Sequence, residues 1–371
     1  MKVCLVLHKY NIPLDEPCVY PLGFMYISSV LKQHGHKVKI LNFNLWEYNF
    51  EEEVKDQDCV LFTGFEGFKL DIIRDASICA KYKIHTILGG GLATFSPAEM
   101  LLYVNTVVVG EGENIIETVL NHSGIIAGTK VDLNTLPLPD YTGFGIEEYN
   151  KHHSINYMGV LTARGCPYSC TFCAQTCNYQ ERDLQLVFDE IDYYEYFYGI
   201  ELLSINDNTL NIRRDRYLKI CEELKIRDLN WMGAIRVDKF DEEMAIATKQ
   251  SGCKYLVVGI ESFNQDRLDF MRKETTVKDI HKTLDLLHKY EIDYHGNVLV
   301  GFEDETYSDI MIELQSIPSE YKVFPCFVYP FAGTKNGKTR KISVDEYNHL
   351  YERFKLNIYS NNKIQLSEQG A

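Results

Sequence analysis

The 371-residue chain has no run approaching the ~18–20 consecutive apolar residues that a membrane-spanning helix requires. Its N-terminus, MKVCLVLHKYNIP, holds one short apolar stretch broken by His8 and Lys9. That is too short for the ~7–15-residue apolar core of a secretion signal, so a cytoplasmic location is expected. Positive charge is also scarce: 38 Lys and Arg stand against 53 Asp and Glu, a formal net charge of −15. Affinity for nucleic acid comes mostly from neutralising phosphates, which weighs against a nucleic-acid partner. Neither the GxGxxG spacing of a dinucleotide fingerprint nor a P-loop is present, and there is no internal repeat or low-complexity segment. With 45% hydrophobic and 25% charged residues, the composition is that of a globular chain of about two domains.

Cysteine, by contrast, is plentiful, with eleven residues, and disulfides are not expected in a reducing compartment. Cys4, Cys18, Cys59, Cys79, Cys221, Cys253 and Cys326 are scattered. Most sit in apolar contexts such as VCLVL and DCVLF, where Cys behaves as a small buried hydrophobe. Cys166, Cys170, Cys173 and Cys177 instead fall within one short stretch.

Over residues 1–128, short apolar runs alternate with amphipathic ones, the pattern of a doubly wound α/β sheet. Strands are expected at Lys2–Leu7, Lys37–Leu41, Cys59–Thr63, Ile84–Leu88 and Thr106–Val109. Gly89-Gly90-Gly91 and Gly110-Glu111-Gly112-Glu113 follow the last two. Ligands of such sheets sit outside the carboxyl ends of the strands, where glycine lets them approach the backbone. Either glycine segment alone reads equally well as a tight turn. Together on one sheet edge they favour a binding surface.

Residues 129–152 carry Pro137, Pro139, Gly143 and Gly145 with little periodicity and read as a linker. From 153 to 335 the β/α alternation resumes. Strands are expected at Tyr157–Thr162, Glu201–Ile205, Asn230–Ile235, Tyr255–Val258, Tyr294–Val300 and Lys322–Val328. Six such units make a partial (β/α)6 barrel, whose active site belongs at the carboxyl ends of its strands. The segment 336–371 reads as a C-terminal helical tail, with its helix at Lys341–Ser360.

The cysteine cluster follows the first strand of this second region. Three thiols at C-x3-C-x2-C spacing can converge on an iron–sulfur centre, and a cubane held by only three leaves one iron open. Zinc competes, since Cys177 would close a four-thiol site, although structural zinc usually takes two separated ligand pairs. The spacing favours iron–sulfur and leaves zinc open.

The segment Arg164-Gly165-Cys166-Pro167-Tyr168-Ser169-Cys170-Thr171-Phe172-Cys173 resembles the signature loop of the radical S-adenosylmethionine (SAM) enzymes, including the aromatic Phe172 before the last cysteine. The resemblance implies that Cys166, Cys170 and Cys173 bind three irons of a [4Fe–4S] cluster whose open iron chelates the methionine end of SAM. Reduction then cleaves SAM to a 5′-deoxyadenosyl radical. It also implies a polar contact from Asn206 and Asp207 to the SAM amino group. Arg236 would approach the carboxylate, Glu261 and Ser262 the ribose or methionine groups. The strand containing Val300, within NVLVGFEDE, would pack on adenine. Cys177 lies outside the pattern.

In the first region, PLGFMYISSVLKQHGHKV, LGGGLATFSPAEML and VVVGEGE resemble the cobalamin-binding domain that precedes the barrel in B12-dependent radical SAM enzymes. The implied corrinoid contacts are Gly90, Gly91, Thr94, Gly110 and Glu111 at the nucleotide tail, with Phe65 and Glu66 below the ring. No DxHxxG motif is present, so His ligation of cobalt is not indicated. The expected activity is methylation of an unactivated carbon, or a phosphinate phosphorus, of a small molecule or peptide. An external electron donor of flavodoxin or ferredoxin type is expected with it. Cyclisation or rearrangement without methyl transfer is one alternative, a non-catalytic zinc- or corrinoid-binding protein another. A first domain that keeps the fold without its cofactor is a third.

Overall fold

The computed structural model describes residues 1–9, 21–153, 155–174 and 177–328, together with 334, 346 and 349. The described residues form two compact units, one drawn from 1–167 and 174–203, the other chiefly from 168–173 and 204–328. The expected helix at Lys341–Ser360, and the 336–371 tail, lie outside the described residues apart from 346 and 349.

The first sheet has six parallel strands: β1 (Lys2–Leu7), β2 (Lys37–Asn42), β3 (Cys59–Thr63), β4 (His85–Gly89), β5 (Thr106–Val109) and β6 (Gly124–Ala127), in the order β2-β1-β3-β4-β5-β6. Val3–Leu7 of β1 are all buried, as a central strand covered on both faces requires. The helix Lys69–Lys81 places Ile72, Ala76 and Cys79 in a core with Val6, Val60, Phe62 and Leu88. The strand order reverses between β1 and β3, the switch point at which this class of sheet opens a crevice beyond its carboxyl ends.

Besides the edge strand β6, two features of this sheet region differ from the sequence expectation. The triple glycine is not a simple turn, because a helix, Gly90–Phe95, leaves β4 directly. The 129–152 segment includes most of the helix Ile146–His153 and is pinned to the sheet region. Asn42 Nδ2 donates to the Phe144 carbonyl at 3.0 Å, and the Ser28 hydroxyl donates to Asp140 at 2.5 Å.

The remaining strands are β7 (Tyr157–Val160), β8 (Ala163–Arg164), β9 (Gln180–Glu181), β10 (Leu202–Ile205), β11 (Asn230–Arg236), β12 (Cys253–Glu261), β13 (Tyr294–Val300) and β14 (Val323–Phe327). Six of them form the second sheet in sequential order, β14-β13-β12-β11-β10-β7, with parallel pairing from β11 through β14. This is the barrel-like sheet expected. Its helices are locally specified: Thr276 and Asp279 form a capping box at the start of Val277–Lys289, which buries Ile280, Leu284 and Leu287. The ribbon β8/β9 was not expected. It pairs Ala163 with Glu181 and Arg164 with Gln180, antiparallel, and closes the base of the cysteine loop.

Candidate functional site

In the first unit, the loops after β3, β4 and β5 are bonded to one another at the carboxyl edge of the sheet. The Leu92 amide donates to the Gly64 carbonyl at 2.9 Å. The Thr94 hydroxyl donates to the Gly90 carbonyl at 3.0 Å and accepts the Gly110 amide at 3.1 Å. Gly90 has φ +79°, and a Cβ there would stand 2.6 Å from Thr63 Oγ1, so only glycine fits. Gly110 has φ +88° and faces open space.

These loops border a cavity of about 230 Å³ with apolar walls from Phe24, Leu61, Ile87 and Val108. Gly89, Gly90, Gly110 and Gly112 form its glycine rim, and Glu111, Glu113, Arg164 and Cys177 are its polar and thiol lining. Glu111 is already engaged: its carboxylate accepts Arg164 Nη1 at 2.7 Å, Gln180 Nε2 at 3.1 Å and the Val131 amide at 3.1 Å. Arg164 Nη2 reaches Glu113 at 2.8 Å. Phe65 packs on Phe68 with ring centroids 4.6 Å apart, and Glu66 pairs with Lys69 at 3.0 Å. Gly91 lies on the helix that leaves β4.

Among the cysteines, Cys4, Cys59, Cys79 and Cys221 are buried, while Cys166 and Cys170 are half-buried and Cys173 is exposed. Cys18 lies outside the described residues. Cys166 belongs to the first unit, Cys170 and Cys173 to the second. Gly165, with φ +78°, starts the cysteine loop. A Cβ on it would meet the Cys177 and Asn178 carbonyl oxygens at 2.5 Å. Among the described residues no three His, Cys, Asp or Glu side chains converge tightly enough for one metal ion.

Within the second unit, the segment Tyr168–Cys173 is held by several bonds. The Thr171 amide donates to the Met271 carbonyl at 2.9 Å, and the Cys173 amide to the Cys170 carbonyl at 3.2 Å. Arg236, at the end of β11, is 3% exposed and lies over the Tyr168 ring at 3.6 Å. Its Nε donates to Asp238 at 2.9 Å, its Nη2 to the Lys273 carbonyl at 2.6 Å, and its Nη1 points to Cys170 Sγ at 4.0 Å. Burial pushes the Cys170 thiol up, and Lys273 and Arg236 offset only part of that rise. Two cations thus stand beside this half-buried thiol, where they would favour a metal-bound thiolate.

Lys273 was not singled out from the sequence. It is buried and its Nζ bonds Glu261 Oε1 at 2.6 Å. The backbone around the pair is left-handed at Glu261, Arg272 and Glu274, with φ of 69°, 50° and 57°. Glu261 is thus committed to an internal ion pair. Ser262 turns to a helix: its hydroxyl donates to Glu313, which also accepts the Phe263 amide at 3.0 Å.

At the end of β10, Asn206 Oδ1 accepts the Ser204 hydroxyl at 2.6 Å, leaving Nδ2 buried without a partner. Such an orphaned donor needs an acceptor, so the free group of Asn206 suits a carboxylate such as that of SAM rather than the amino group the resemblance implied. Asp207 is buried beside it in sequence, Phe172 is half-buried, and Val300 is buried as the last residue of β13. The donor chemistry therefore fits the implied groups, with three thiols for a cluster, a buried amide for SAM and a glycine-rimmed apolar cavity for a corrinoid tail.

Comparison with known proteins supplies the family. The family model of the B12 binding domain matches residues 15–120, and that of the Radical SAM superfamily matches residues 160–316. The chain is a radical SAM enzyme with an N-terminal B12-binding domain. The two matches imply a [4Fe–4S] cluster, SAM and cobalamin as its cofactors. An uncharacterised methyltransferase of Pyrococcus horikoshii is 25% identical over 356 residues, covering 85% of this chain and 77% of that protein. The anaerobic magnesium-protoporphyrin IX monomethyl ester cyclase of Rubrivivax gelatinosus is 27% identical over 330 residues, covering 77% of this chain and 60% of its own. The radical SAM methyltransferase TsrM of Kitasatospora setae shares the fold, with TM-score 0.73 at 16% identity, over 91% of this chain and 75% of that one.

Proposed function

We propose that this enzyme transfers a methyl group to an unactivated carbon, or a phosphinate phosphorus, of a small molecule or peptide. The observation that carries the reading is the B12-binding match followed by the radical SAM match on one chain, in company with a relative named a methyltransferase. When bound, the reduced cluster supplies the electron that cleaves SAM and the corrinoid supplies a methyl carrier.

The chain's own residues bind and orient these groups. Cys166, Cys170 and Cys173 would hold the cluster, with Arg236 and Lys273 offsetting thiolate charge at Cys170. Asn206 Nδ2 would donate to the SAM carboxylate, while Asp207 and Val300 would line the same strand ends. Arg236 has three of its directions occupied within the protein, so its part is to fix the cysteine loop as much as to reach SAM. Glu261 and Ser262, both bonded internally, would shape the SAM site rather than contact it. In the first unit, Gly90, Gly91, Thr94 and Gly110 would seat the corrinoid tail, and the apolar cavity walls exclude water from it. Phe65 and Glu66 would lie near the lower ring face.

Among the described residues no helix is long and apolar enough to cross a membrane. A cytoplasmic enzyme reduced by a flavodoxin- or ferredoxin-type donor fits the abundance of thiols. The cyclase relative favours a second reading, rearrangement without methyl transfer. The test is product analysis of the reconstituted enzyme supplied with SAM, cobalamin and reductant. Methyl transfer yields S-adenosylhomocysteine alongside 5′-deoxyadenosine; 5′-deoxyadenosine alone would favour rearrangement.

A further inference from the structure

We infer that Arg164 couples the corrinoid cavity to the cluster loop, so that filling one site strengthens the other. The inference rests on the corrinoid reading above and adds a positioning residue to it. Arg164 stands two residues before Cys166, at the point where β8 enters the cysteine loop. Its guanidinium bridges Glu111 at 2.7 Å and Glu113 at 2.8 Å, the two carboxylates of the glycine segment that borders the cavity. Gln180, where β9 leaves the loop, bonds the same Glu111 oxygen at 3.1 Å. Both ends of the cysteine loop are therefore tied to one carboxylate on the cavity wall.

The tie is stiff for three reasons. Arg164, Glu111 and Glu113 side chains are 13%, 10% and 7% exposed, so water competes weakly for their bonds. A guanidinium bonded through two nitrogens has its orientation fixed, unlike an ammonium. Gly165 next to it has a left-handed backbone and runs so close to the Cys177 and Asn178 carbonyls that not even a Cβ would fit, so Arg164 has little room to shift without moving Cys166. A ligand that orders the Gly110–Glu113 turn thereby orders the base of the cluster loop. By linkage, a cluster that orders the loop raises affinity in the cavity by the same factor.

The experiment is a spectrophotometric titration of hydroxocobalamin into the full chain, once cluster-free and once anaerobically cluster-loaded. Binding should be roughly tenfold tighter to the loaded form, within the usual range for coupled sites. In Arg164→Gln the ratio should fall to about one, while Arg164→Lys should retain part of it. If Arg164→Gln does not fold by circular dichroism, Gln180→Leu removes the second tie and should reduce the ratio by a smaller factor. Equal affinity for the two wild-type forms would overturn the coupling. An undiminished ratio in both Arg164→Gln and Gln180→Leu would overturn the role of the tie. No cobalamin binding to either form would overturn the corrinoid reading itself, and this inference with it.

Discussion

Adding a single methyl group at Gly165 tests whether the cysteine loop has the rigid base described. The residue has φ +78°, and the new Cβ would stand 2.5 Å from two backbone carbonyl oxygens, those of Cys177 and Asn178. Backbone atoms cannot swing aside as a side chain would. Left-handed backbone costs an alanine about 1 kcal/mol, and overpacking against fixed atoms adds about 1–3 kcal/mol. The native loop is then disfavoured by about 3 kcal/mol in all, a factor of about a hundred. Gly199 provides the control: its φ is +56° but a Cβ there meets nothing within 4 Å. Gly199→Ala should cost only the backbone part, about 1 kcal/mol. The assay is iron retained per chain after anaerobic reconstitution and challenge with a chelator. Gly165→Ala should lose its iron far faster than wild type, and Gly199→Ala should resemble wild type. Equal retention by the two variants would refute the close packing at the loop base.

Two further perturbations probe the second unit. Lys273→Met leaves Glu261 as a buried charge without its partner and should destabilise the protein by about 3–5 kcal/mol, whereas Lys273→Met with Glu261→Gln should recover most of the loss; chemical denaturation of both variants measures the difference. Burial lowers the His295 pKa to about 4, below the roughly 6.5 of an unfolded chain. Its contribution to stability is full above pH 6.5 and is lost as pH falls towards 4. Between pH 7 and pH 5 the loss is about 2 kcal/mol, and His295→Gln should flatten that slope in the denaturation midpoint.

The fold was legible where burial imposes a period. Strands such as Val3–Leu7 are apolar runs with turn signals at their ends, and helices such as Val277–Lys289 carry caps that can be read in the chain. The missed elements are too short or too polar for any period to register. The strand β6 is a four-residue edge with alternating exposure, and β8 and β9 have two residues each. The helix Ile146–His153 consists mostly of charged and polar side chains.

The cysteine motif was legible because three thiols at fixed spacing serve one loop. Arg164 carries no such signal, since its partner Glu111 is fifty-three residues away and nothing in either sequence context announces the bond. Lys273 was hidden for another reason. It reaches Glu261 through non-glycine residues held at positive φ, a conformation that the side chains of Glu261, Arg272 and Glu274 do not advertise. Glu111, in the cavity lining, and Glu261 each also have an internal cationic partner, Arg164 and Lys273, that the sequence does not announce.

The most direct measurement is cluster content and SAM cleavage in wild-type and Cys170→Ala protein, purified and reconstituted without oxygen. Wild type should turn brown with a cubane's complement of iron and sulfide and release 5′-deoxyadenosine on reduction, while Cys170→Ala should do neither. A colourless wild-type protein holding zinc, or undiminished 5′-deoxyadenosine from Cys170→Ala, would contradict the assignment of these thiols.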